Sequence, residues 1–145
     1  MTYNRFEDLP VWRCAIELAR RIFELTQDAL FRRAGDACNQ LRRASLSVSN
    51  NIAEGFERGT TSELITFLYI ARGSAGEVRS MLRFIEGWQP DSHLRPAVAE
   101  LIQPSESCSR QIRSWAESLQ NSNIKGQRYQ TEHSQAEYTR KKEAD

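Results

Sequence analysis

The sequence predicts an all-α fold, an up-down-up-down antiparallel four-helix bundle with a disordered polar C-terminal tail, and three observations carry that expectation. Apolar residues recur every three or four positions through nearly all of residues 10–119, the period of one face of a helix. The interruptions are brief, and helices joined by short connections pack as antiparallel neighbours. At 145 residues with a hydrophobic fraction of 39%, the chain has material for one core in one domain.

The first helix is expected from about Pro10 to Leu30. Proline is tolerated at a helix start, and Val11, Ala15, Leu18, Ile22 and Leu25 follow at alternating spacings of four and three. Phe31 to Gly35 form a short connection, and Asp36 stands as the N-cap of the second helix. That helix carries Cys38, Leu41, Ala44, Val48, Ile52 and Phe56 as its apolar stripe, and Gly59 closes it. Thr60 or Thr61 caps the third helix, with Glu63 or Glu57 within reach, and Leu64, Phe67, Leu68, Ala71, Val78, Leu82 and Ile85 carry its stripe to Trp88. Gln89-Pro90-Asp91 is the break.

In the fourth segment Leu94, Val98, Leu101, Cys108, Ile112, Trp115 and Leu119 keep one phase across Pro96 and Pro104. A proline inside a helix costs about 3 kcal/mol and usually kinks it. The expectation is therefore a kinked helix, or a break that restarts near Ser105. Residues 121–145 are polar, charged and nearly devoid of aliphatics, a composition that cannot bury enough apolar area to stay ordered. The bundle is thus assigned to residues 1–120 and the tail to 121–145.

Composition excludes several classes. No apolar run approaches the roughly 18 residues of a membrane span, and the opening MTYNRFEDLP lacks a basic region followed by an apolar block, which makes the cytoplasm the expected location. Cys14, Cys38 and Cys108 are scattered, odd in number and placed at apolar positions, so they read as reduced, packed thiols. Every cation before Lys125 is arginine, and the first 120 residues hold fifteen arginines against fifteen Asp plus Glu, a net of zero. A dedicated nucleic-acid binder usually shows a clearly basic domain.

Two helix faces exceed what one bundle needs. At 100° per residue the apolar positions of helix one spread over about 200°, and the extra flank of Trp12, Ile16, Ala19 and Phe23 calls for a partner. On helix three, Gly73, Gly76 and Ser80 lie away from the Leu and Val stripe, between Tyr69 and Phe84. Glycine in an exposed helix costs about 1 kcal/mol, whereas small residues let another helix come close. A third face, on helix two, gathers Arg43, Ser47, Asn50, Asn51, Glu54 and Arg58 opposite Leu41, Val48 and Ile52, at spacings where side chains meet. Gly55 in the same helix, with its poor helix propensity, suggests that this stripe too faces another chain. These faces are the candidate subunit interface.

The motif set Phe6-Glu7-Asp8-Leu9 with Val11-Trp12, Gln40 with Arg42-Arg43-Ala44-Ser45, Asn51-Ile52-Ala53-Glu54-Gly55 with Arg58, and Phe67-Leu68 with Ala71, Gly73-Ser74 and Glu77 resembles the bacterial four-helix-bundle family encoded in intervening sequences of 23S ribosomal RNA genes. It is similar also to the accessory variability proteins of diversity-generating retroelements. The resemblance covers about residues 5–119, densely over three helices and loosely over the fourth. It implies a ring of five subunits without enzymatic activity, and, from the retroelement relatives, binding of a reverse transcriptase and of nucleic acid.

Enzymatic readings find little in the residues. His93 falls in a connection and His133 in the tail, so no histidine pair with ligand spacing exists, and the Glu-x-x-His pattern of di-iron bundles is absent. Gly73-Ser74-Ala75-Gly76 is mid-helix and follows no strand, unlike a phosphate-binding loop. No catalytic residue, cofactor, metal or small-molecule substrate is assigned. Nucleic acid has one local basis: Arg72, Arg79 and Arg83 on a flank of helix three, with Arg42 beside Arg43 on helix two, patches that a ring would repeat. Two expectations thus stand, a homo-oligomeric scaffold or interaction protein and an RNA- or DNA-binding accessory factor acting with a reverse transcriptase or ribosomal RNA.

Overall fold

A computed structural model describes residues 3–88, 91–122, 140, 143 and 144. The described residues are all-helical: a 3-10 turn at Phe6–Asp8, then α1 (Pro10–Leu25), α2 (Phe31–Ala34), α3 (Asp36–Glu57), α4 (Thr61–Trp88) and α5 (Arg95–Gln120). The expected break at Gln89-Pro90 and most of the expected tail lie outside the described residues.

α1 starts where expected, with Pro10 in its first turn, but it ends five residues before Leu30. Thr26 is buried and its Oγ1 donates to the carbonyls of Ile22 and Phe23 at 2.8 and 3.2 Å. Arg42 of α3 donates from Nε to Thr26 Oγ1 at 2.8 Å and from Nη2 to the Thr26 carbonyl at 3.1 Å. A guanidinium at a helix C-terminus satisfies carbonyls that have no intrahelical partner and complements the helix dipole. The chain then turns, with Asp28 Oδ1 accepting the Leu30 N–H at 3.0 Å. Phe31, expected in a connection, is buried in the separate helical turn α2.

Asp36 does not cap α3. Gly35 holds that position at φ +55°, and Asp36 is the first helical residue, its Oδ2 accepting from Gln40 Nε2 at 2.7 Å. The left-handed φ favours glycine, which supplies the turn that an aspartate cap was expected to make. Gly59, at φ +86°, follows α3 as expected. For α4 the cap is Thr60: its Oγ1 accepts the Glu63 N–H at 3.2 Å and donates to Glu63 Oε1 at 3.0 Å. Thr61 is buried instead, and its Oγ1 has no hydrogen-bond partner among the described residues.

α5 runs without a break through Pro104, so the restart near Ser105 does not occur. Ser105 is fully buried and its Oγ donates to the Ile102 carbonyl at 2.6 Å. The apolar phase explains the continuity: Leu101, Ile102, Cys108 and Ile112 on both sides of the proline are all buried in one core, so separating the halves would expose part of that stripe to water.

The helices pack in a cycle, α1 on α3 and α5, α3 on α4, and α4 on α5. Contacts between successive partners run in opposite directions. Ser47 meets Ser74 and Gly55 meets Leu64 and Phe67 across α3 and α4. Tyr69 meets Gln120 and Arg79 meets Glu106 across α4 and α5. Cys14 meets Gln111 between α1 and α5, while Asp28 and His93 meet in the turns beyond the other end of that pair. Leu18, Ile22, Leu41, Ile52, Phe56, Leu68, Leu82 and Ile112 are among the fully buried side chains between them.

The Asp28–His93 contact, 2.9 Å from Oδ2 to Nε2, joins the turns beyond α1 and before α5. The hydrogen bond from His93, with a second from the Leu30 N–H, holds the Asp28 carboxyl below its ordinary range. A depressed carboxylate contributes stability that is present above its unfolded pKa of about 4 and is lost as pH falls through the folded value. Asp28→Asn is therefore expected to lower Tm at neutral pH, with the difference from the unsubstituted protein shrinking as pH drops below about 4. Thermal melts of both proteins across that range check this; a difference independent of pH would refute it.

Candidate interaction surface

The outward side of α4 is built from its own periodicity. Leu64, Leu68, Ala71, Ala75, Val78 and Leu82 face the core, which leaves Tyr69, Gly73, Gly76, Ser80 and Phe84 on the opposite side of a helix with 3.6 residues per turn. Tyr69, Phe84 and Trp88 are 38%, 59% and 40% exposed, and Ile70 is 48% exposed at the edge of the same face. Phe84 and Trp88 stack on each other, centroids 6.4 Å apart and 12° from parallel. A Cβ built on Gly73 or Gly76 would meet nothing within 4 Å, so nothing inside the described chain requires glycine there. Tyr69 is fixed by donating its hydroxyl to Gln120 Oε1 at 3.0 Å. Ile70 and Trp88 widen this face beyond the residues expected on it; each stands about 100° from Tyr69 on a helical projection, so their place on its edge is legible from spacing alone.

Much of the polar stripe on α3 is used inside the chain. Asn51 Nδ2 donates to the Ser47 carbonyl and Oγ at 2.7 and 2.9 Å, and Ser47 Oγ shares a 2.9 Å hydrogen bond with Ser74 Oγ, which forms a polar seam against α4. Arg58 pairs with Glu54 at 3.0 Å and with Glu63 at 3.6 Å, and lies over the Phe67 ring. Arg43 and Asn50 are exposed. Gly55 is buried, and a Cβ there would sit 2.5 Å from Phe67 Cβ. This glycine, expected to signal a second chain, is accounted for by the close approach of α3 and α4.

The wide flank of α1 also finds cover within the chain. Trp12 packs edge-on against Phe6 with centroids 5.3 Å apart, Phe23 lies 5.3 Å beneath the Arg42 guanidinium, and Ala19 is buried. Ile16 is half-buried and Leu46 of α3 is 38% exposed.

The arginines singled out as nucleic-acid contacts are dispersed in role. Arg42 turns inward onto Thr26 and Phe23. Arg79 pairs with Glu106 at 3.1 Å, and Arg83 with Glu86 at 3.3 Å. Arg72 is half-buried and has no ion pair among the described residues. Arg42's link to Thr26 spans 16 positions and two helices, so no local signal could have shown it.

These features define an all-helical protein whose distinctive surface is the face of one long helix, edged by aromatic rings and small at its middle. No described helix is long and apolar enough to cross a membrane. The chain belongs to the 23S rRNA-intervening sequence protein family, whose profile matches residues 7–90. The match spans α1 to α4 and stops before α5. No curated protein matches the chain.

Proposed function

We propose that the chain is a non-catalytic, cytoplasmic scaffold or interaction protein, an up-down-up-down antiparallel four-helix bundle that assembles with copies of itself through the outward face of α4. The oppositely running contacts between successive helices support the topology. One observation carries the assembly: Gly73 and Gly76 have open space around them between exposed Tyr69 and Phe84. In a monomer each would cost about 1 kcal/mol with no return; a second helix packed on that groove would use the missing Cβ atoms. Five subunits is the stoichiometry that the family resemblance suggests.

The test follows from the sign of that cost. If α4 faces only solvent, Gly73→Ala and Gly76→Ala should each raise stability by about 1 kcal/mol and leave the mass in solution unchanged. The expected result is that light scattering finds an oligomer for the unsubstituted protein and a smaller species for Gly73→Leu/Gly76→Leu, whose helical circular dichroism is retained. A monomer at micromolar concentration in the unsubstituted protein overturns the reading.

The alternative, an RNA- or DNA-binding accessory factor kin to the retroelement proteins, has less support. Two of its four arginines are paired with carboxylates and a third serves α1, which leaves Arg72 as its best-placed cation. A reverse transcriptase gene beside this one would favour it.

A further inference from the structure

Cys14 of α1 and Cys108 of α5 lie on helices that pack against each other. Cys14 is half-buried and Cys108 fully buried. Gln111, three residues after Cys108, donates from Nε2 to Cys14 Sγ at 3.8 Å and is steadied by Ser107 Oγ at 3.2 Å. Cys14 therefore faces the turn of α5 that carries Cys108. Cys14 lines an open cleft of about 370 Å³ together with Leu18, Pro104 and Ser107, so a small solute can approach it from solvent, whereas Cys108 is fully buried and is not part of the cleft lining.

We propose that Cys14 and Cys108 form a peroxide-responsive pair, Cys14 being the sulfur attacked from the cleft and Cys108 the one that resolves it into a disulfide joining α1 to α5. The chemistry balances as two steps. The Cys14 thiolate attacks hydrogen peroxide; an S–O bond forms, the O–O bond breaks, and the departing hydroxide takes a proton to become water. Cys108 then gives up its proton and attacks the Cys14 sulfur; an S–S bond forms, the S–O bond breaks, and a second water leaves. Two thiols lose two electrons and one peroxide gains them.

The division of roles follows from the surroundings. The hydrogen bond between the thiols favours the Cys14 thiolate and lowers its pKa, whereas that bond and burial push the Cys108 thiol up. The thiolate is the reactive form, so the less buried member of the pair is also the readier nucleophile. Cys38, buried on α3, serves as the internal comparison.

The experiment treats the full-length reduced protein with stoichiometric hydrogen peroxide and follows intact mass and peptide linkage. The expected product has lost two hydrogens, carries a Cys14–Cys108 linked peptide, leaves Cys38 alkylatable, and melts about 5–10 °C higher than the reduced form. Cys108→Ser should leave Cys14 with one added oxygen, trapped by a sulfenic-acid reagent. Should that variant fail to fold, Cys14→Ser serves in its place and must abolish the two-hydrogen loss. A linkage through Cys38, a disulfide between chains, over-oxidation of Cys14 without a link, or no reaction overturns the proposal.

Discussion

Gly55→Ala is expected to destabilise the protein by about 1–2 kcal/mol, against the direction that helix propensity alone would give. Alanine in place of glycine inside a helix is worth about 1 kcal/mol in favour of the variant. The new methyl would stand 2.5 Å from Phe67 Cβ and 3.3 Å from Leu64 Cδ1. The leucine tip can rotate away, but the phenylalanine Cβ is fixed to the α4 backbone, so the two helices must part. Overpacking of this kind costs about 1–3 kcal/mol, and separation also loosens the Ser47–Ser74 contact, two turns away. Urea denaturation of the two proteins measures the difference; equal or raised stability in the variant would mean that α3 and α4 do not approach as described. Gly73→Ala, on the same pair of helices but with open space around it, should show the opposite sign in any monomeric species.

Phe56→Ala should lower stability by about 3–5 kcal/mol. The ring is 2% exposed and belongs to the shared core that also holds Ile52 and Leu64. Removing it loses the transfer energy of a buried aromatic and leaves a cavity that rigid helices fill only in part. Against a total of about 5–15 kcal/mol for an ordinary domain, the variant should melt far below the unsubstituted protein. Phe84→Ala is the matched control. At 59% exposure its effect on a monomer should stay within about 0.5 kcal/mol, so a marked change there in oligomeric mass, with folding intact, locates the assembly surface. If Phe56→Ala is tolerated as well as Phe84→Ala, the core assignment fails.

The helix stripes were legible in the sequence because burial on a helix repeats every 3.6 residues and a stripe needs no knowledge of its neighbour. Val11, Ala15, Leu18 and Ile22 on α1, and Leu64, Leu68, Ala71, Val78 and Leu82 on α4, are buried as their spacing requires. The outward position of Gly73 and Gly76 was legible for the same reason. Ends were harder. The expected end of helix one at Leu30 lies past the real end of α1, because Arg42 caps that helix from another element. Asp36 looks like a cap, yet Gly35 holds that place, and of the two threonines offered for α4 it is Thr60 that caps.

What the sequence determined by itself is the all-helical class, the order of the long helices and the side of each that is apolar, all of them consequences of local periodicity. Only the tertiary structure decided that α5 continues through Pro104, that Gly55 serves the α3–α4 contact, and that Arg42 serves the end of α1. Each of these depends on which atoms a side chain meets across a gap between helices. Spacing along one chain segment sets the face a residue occupies, while the distance to the opposing helix sets whether that residue is a spacer, a cap or a contact.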